Sequence, residues 1–196
     1  MHGGGGPQTV APIVGHLATT MHALAPTHPG WNGTGRPDGI ASAADERYAG
    51  LVGAVIDIDG IGAVVDGEPL ADFFSLDARQ LAQAAWHDAE RGYVDPAGFT
   101  PEQRAIQQFN GQTMAATAGR GMSDATLLGR LDSVSVPTLV VFGESDRIVT
   151  PAYGQAVARA IPGAEFAVIA AAGHLPHLEA PEATWATIEP FLNRSR

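Results

Sequence analysis

Two segments late in the chain carry side chains that could work together as an acid and a base. In GESDRIV, Asp146 follows the apolar run LVVF, and in AAGHLPHLE, His174 follows AVI. Each run reads as a buried strand with a polar exit, and in a parallel α/β sheet working groups gather at the C-terminal strand ends. A carboxylate and an imidazole on neighbouring exits are placed as an orienting acid and a general base, the later part of a Ser, Asp, His order. At the other end of the chain, HGGGGP at residues 2–7 suits a backbone that bends sharply and brings its N–H groups close to something small and negative.

Other polar residues have plainer readings. A lone Asp146 would be a loop acid capping the next helix, and it is the pairing with GHLPHLE that favours chemistry. His177 lies three residues after His174, a spacing one helical turn could turn into a metal pair, but no third ligand has matching spacing and no metal is expected. Asp57 and Asp59 in VIDIDG resemble part of a calcium loop whose remaining positions are absent, so they are placed at a strand end. His16, His22, His28 and His87 are scattered and read as surface or hydrogen-bonded residues. Trp31, Phe73, Phe74 and Trp86 are candidates for a substrate pocket, with packing inside a helical segment the competing explanation.

The elements that would hold these residues follow from periodicity. VAPIVGHLATT (residues 10–20) has helical apolar spacing, MHALAP (21–26) is a short strand candidate, and THPGWNGTGRPDG is a loop by its Pro and Gly density. Ser42 reads as the N-cap of a helix over residues 43–52. GAVIDIDGIGAVV (53–65) is β-branched and apolar, which predicts a buried strand. Residues 66–132 place aromatics and acids at helical spacing and form a helical insertion. Strand, helix, strand, helix then follow: a strand in PTLVVFGESDRIV, a helix over 152–160, a strand in AEFAVI, and a closing helix in PEATWATIEPFLNRSR with Pro181 in its first turn. Buried strands alternating with helices predict an α/β fold with a mostly parallel sheet.

Bulk composition narrows the class. The chain has 196 residues, enough for a single domain with a sizeable core, and 24 Gly and 14 Pro remain below the level that marks disorder. A formal charge of −10 with no basic block argues against a nucleic-acid surface and favours a small-molecule partner. Zero cysteines exclude thiolate catalysis and disulfides. No stretch approaches the ~20 apolar residues of a membrane span, so no membrane partner is expected, and a cytoplasmic location is the default.

HGGGGP, APTHPGWNGTGRPD, VVFGESDRIVTPAYG and AAGHLPHLEAPE occur in one order and together resemble an α/β-hydrolase-fold hydrolase over most of the chain. The resemblance implies that the glycine loop, with His2, Gly3, Gly4 and Gly5, forms an oxyanion hole, that Asp146 is the triad acid and His174 the base, and that residues 66–132 form a cap or lid. It implies no cofactor.

The same resemblance calls for a Gly-x-Ser-x-Gly nucleophile elbow, and none of the seven serines sits in one. GMSDA around Ser123 comes nearest, but it has Ala125 for the second glycine and no strand before it. SAADERYAGLVGAVIDIDGI passes directly from the helix after the THPG loop to the strand beyond the elbow, so about 30 residues are missing at ordinary element lengths. Strands that precede the glycine loop in similar proteins have no counterpart before Met1. The expectation is therefore an incomplete fold with open sheet edges, marginal in stability and prone to self-association through those edges. Three functional readings stay open: a hydrolase of ester-like bonds in small hydrophobic substrates, a non-catalytic binding protein, or an incomplete gene product of the same family.

Overall fold

A computed structural model describes residues 6–25, 27, 31, 32, 34, 53–119 and 121–195. Within them the chain forms two compact units, residues 1–47 with 95–120 and residues 48–94 with 121–196. The second holds the sheet.

That sheet has three parallel strands in the order β1 (Val55–Ile58), β2 (Thr138–Gly143), β3 (Glu165–Ile169). β2 pairs with both neighbours and is buried along its whole length, as its unbroken apolar run requires. Its side chains alternate between two cores. Val140 and Phe142 face a cluster with Tyr153, Val157 and Ala158 of α5 (Pro151–Ala160), while Leu139 and Val141 join Ile188 and Phe191 of α7 (Pro181–Arg194). Gly154 of α5 lies under Phe142, where a Cβ would overlap the ring. α7 starts with Pro181 at its first position, as the sequence predicts.

β1 is shorter and less buried than expected. All four of its residues are half-buried, and the strand ends because Asp59 turns into the left-handed region at φ +48. The expected strand continues only as an isolated bridge between Ala63 and Asp124. MHALAP forms no strand over residues 21–25. It follows the C-terminal turn of α1 (Ala11–Leu17), where the Leu17 carbonyl accepts from Thr20 and Met21, and no described strand pairs with it. The helix expected after Ser42 lies outside the described residues.

Among the described residues of 66–132, helices and turns alternate with irregular stretches and the bridge at Asp124. α2 (Ala78–Ala85) begins with a capping box in which Asp77 accepts from the Gln80 N–H and the Gln80 side chain accepts from the Asp77 N–H. α3 (Ala89–Gly92) and α4 (Pro101–Ala118) follow. α4 belongs to the first unit and carries an equivalent box, Thr100 with Gln103. Its buried Asn110 exchanges hydrogen bonds with Asn32 in both directions, at 2.9 and 3.2 Å.

Candidate active site

The loops leaving β2 and β3 meet through their backbones. Glu144 and Ser145 donate to the carbonyls of Ile169 and Ala172, at 2.9 and 2.8 Å. This approach needs glycine: a Cβ on Gly143 would overlap the Gly173 carbonyl, and one on Gly173 would overlap the carbonyl of Ala85. At that crossing Asp146 Oδ2 lies 2.7 Å from His174 Nδ1. The Asp146 side chain is fully buried and the His174 side chain one-quarter exposed.

Asp146 is held from behind, since its Oδ1 accepts from the backbone N–H groups of Ile148 and Val149 at 2.8 and 3.1 Å. A carboxylate gripped in this way can take the Nδ1 proton of His174 as a hydrogen bond, which leaves Nε2 as the acceptor on the neutral ring. The expected acid and base are thus together, and the geometry suits proton transfer.

Two anchors set this arrangement that sequence reasoning missed. The last turn of α2 offers its free carbonyls to both loops: Arg147 N–H donates to Ala84 and His174 N–H to Ala85, at 2.9 and 2.7 Å. Buried Glu179, in the short helix α6 (Pro176–Glu179), accepts from three backbone N–H groups, those of Gly173 and His87 on Oε2 and of Asp88 on Oε1, at 2.8 to 3.0 Å. The sequence gives one hint, an acid five residues after His174.

Asp59, at the end of β1, completes the cluster. It is 3% exposed, its Oδ1 accepts from Gly143 N–H at 2.9 Å, and its Oδ2 is buried without a partner. Polar atoms of Asp59, Asp146 and His174 all lie within 4.8 Å of one another. Burial, and then the charge of Asp146, push the Asp59 carboxyl up to about 9, against the opposing pull of the Gly143 N–H. Asp57, whose carboxyl folds over Gly60, is pushed up to about 6 by burial, with the Gly60 N–H opposing.

The remaining candidates are dispersed. Phe73 and Phe74 stack edge to face at 5.7 Å, and half-buried Trp86 lies over Gly92, where a Cβ would overlap the indole. Trp31 is buried in the first unit. A separate apolar cavity of about 260 Å³ lies between β1, α5 and the turn at Leu128–Ser133, and Asp57 is its charged wall. His2, Gly3, Gly4 and Gly5 lie outside the described residues, while Gly6 is buried at φ +85. Ser123 is exposed beside Met122, which has φ +47. Ser145, next to Asp146, places its Oγ 2.7 Å from His87 Nδ1.

A family model described as the alpha/beta hydrolase family matches residues 47–187. Over 94 residues the chain is 32% identical to pimeloyl-[acyl-carrier protein] methyl ester esterase of Stenotrophomonas maltophilia, a match covering 47% of this chain and 36% of that esterase. The chain thus spans about a third of the length of the curated relative it matches. Among solved structures, a meta-cleavage product hydrolase from Pseudomonas fluorescens superposes with a TM-score of 0.72 at 15% identity, over 96% of this chain and 86% of that one. A 2-hydroxy-6-oxo-6-phenylhexa-2,4-dienoate hydrolase from a Rhodococcus species gives 0.50 at 21% identity, over 71% and 54%. At such identities the structural likeness speaks for the fold. The family model, spanning well over half of the sequence, carries the assignment: this chain belongs to the alpha/beta hydrolase family.

Proposed function

We propose that the chain hydrolyses ester-like bonds in small hydrophobic molecules, with His174 as general base and Asp146 fixing its imidazole. The observation that carries this reading is the 2.7 Å contact between a fully buried carboxylate and a partly exposed imidazole at adjacent strand exits. Ester chemistry is supported by the methyl ester esterase relative.

Because the sequence has no Gly-x-Ser-x-Gly, the nucleophile in this reading is water. As its oxygen bonds to the ester carbonyl carbon, a water proton passes to His174 Nε2 and the carbonyl π pair moves onto oxygen. When that pair returns, the bond to the alcohol oxygen breaks and the imidazolium hands its proton to the departing alkoxide. Asp146 stays ionised throughout, holding the ring and stabilising its positive charge. A positioned base contributes about 10²- to 10⁴-fold, so slow turnover is expected.

The test is hydrolysis of p-nitrophenyl butyrate by the wild type and His174→Ala, alongside labelling with a fluorophosphonate probe. Slow turnover lost in His174→Ala, with no labelled serine, is the expected result. Stoichiometric labelling would replace water by a serine nucleophile, and Ser145, already paired with His87, is the position to map first. Turnover indifferent to His174 sinks the proposal and favours the second reading, a non-catalytic binding protein, for which the missing elbow is the specific observation.

A further inference from the structure

The Asp59, Asp146, His174 cluster holds one carboxylate more than an acid–base pair needs. Asp146 uses both oxygens, Oδ1 accepting from two backbone N–H groups and Oδ2 from His174, and of a carboxylate's roughly four acceptor sites one stays open. Asp59 uses only one oxygen. Its Oδ1 accepts from Gly143, and its Oδ2 is buried within 4.8 Å of the other two side chains with nothing to accept from. If both acids were ionised, two like charges would share a space closed to water, and Asp59 Oδ2 would be an orphan acceptor.

We propose that Asp59 is a positioning residue that stands protonated at neutral pH and donates from Oδ2 to Asp146, bracing the acid from the side opposite His174. One proton removes both difficulties: it cancels a charge and converts the orphan acceptor into a donor facing a carboxylate. The upward push on the Asp59 carboxyl from burial and from Asp146 acts in the same direction. A divalent cation fits the same oxygens less well, because it would have to displace the Nδ1 proton that bridges His174 to Asp146 at 2.7 Å. The titratable groups around Asp59 are Asp57 on its own strand and Asp146 beyond β2, which both act on its carboxyl, and His174 beyond β3, which lies within reach of it.

The backbone makes the arrangement testable. Asp59 occupies the left-handed region, which Asp and Asn tolerate better than other side chains. Asn at this position can accept from Gly143 with its Oδ1 and donate to Asp146 with its Nδ2, reproducing a protonated aspartate with no charge to titrate.

This inference rests on reading Asp146 and His174 as the acid–base pair, but its primary readout is independent of turnover. In the full chain labelled with ¹³C-aspartate, the Asp59 Cγ resonance, assigned by its loss in Asp59→Asn, should hold its carboxylic-acid position through pH 7 and titrate only above it. Asp59→Asn should match or exceed the wild-type urea midpoint at pH 7, because it folds without taking up a proton, and should keep the wild-type ¹⁵N resonances of the His174 ring, whereas Asp59→Ala should have a lower midpoint than Asp59→Asn and shift those resonances. An Asp59 carboxylate already ionised at pH 7 overturns the proposal, as does equal loss in the two variants. Stoichiometric binding of Zn²⁺ or Mn²⁺ that Asp59→Asn abolishes would also overturn it, in favour of a cation site. A protonated Asp59 in a chain without His174-dependent hydrolysis would leave this inference standing and remove the proposed function.

Discussion

At the scale of single residues, the site depends on carboxyl groups doing three different jobs in one neighbourhood. Asp146 is buried and accepts on both oxygens, Asp59 is buried with one oxygen to spare, and Glu179 is buried and accepts from backbone amides. Replacing Glu179 by Ala strands three N–H groups, so we expect a loss of roughly 2–4 kcal/mol in urea unfolding, together with a weaker His174-dependent rate. Asp146→Asn should cut that rate at least tenfold, because an amide cannot accept from His174 and from both backbone N–H groups without turning its NH₂ toward one of them. Asp57 predicts a pH dependence. A carboxyl raised by folding binds its proton more tightly in the folded chain, so its contribution is present below about pH 4 and is lost as the pH climbs through about 6. Through Asp57, urea stability should fall by about 1–3 kcal/mol between pH 4 and pH 7, and Asp57→Asn should make that part of the curve shallower, with Asp59 supplying the slope that remains. Asp146 and His174 were legible in the sequence because each follows an apolar run long enough to be a strand. Asp59 and Glu179 were not: Asp59 meets Gly143 only through the register of β1 on β2, and Glu179 serves amides about 90 residues earlier in the chain.

At the scale of elements, β2 does most of the positioning. Its four central residues, Leu139 to Phe142, divide alternately between the α7 and α5 cores, and its last glycine delivers the acid loop against the base loop. Gly143→Ala and Gly173→Ala should each cost about 1–3 kcal/mol by forcing backbone apart, and both should lower the His174-dependent rate more than an alanine at exposed Gly163 loop neighbours such as Pro162 would. β2, α5, β3 and α7 were readable from sequence because continuous apolar runs, polar exits and a proline at the start of a helix all agree. β1 was overextended for a physical reason: β-branched composition says nothing about where an aspartate turns left-handed. MHALAP failed because six residues of mixed pattern make a strand only when a neighbour pairs with them.

At the scale of the whole molecule, a chain of net charge −10 carries a three-stranded sheet in which β1 and β3 have no outer strand partner among the described residues. Val168 of β3 is 45% exposed. Unpaired edges template association, so light scattering with size-exclusion chromatography should find species heavier than the 20.3 kDa chain. As a monomer it should melt below about 60 °C, and a cooperative monomeric melt above that temperature would show the edges to be satisfied. The bonds at the end of α2 have a kinetic consequence. The amides of Arg147 and His174 reach the site from different strands, yet both are tied to consecutive carbonyls, Ala84 and Ala85. Fraying of that one helical turn exposes both amides to solvent at once. In deuterium exchange they should therefore share a single opening free energy, and acid and base should lose their scaffold in the same event.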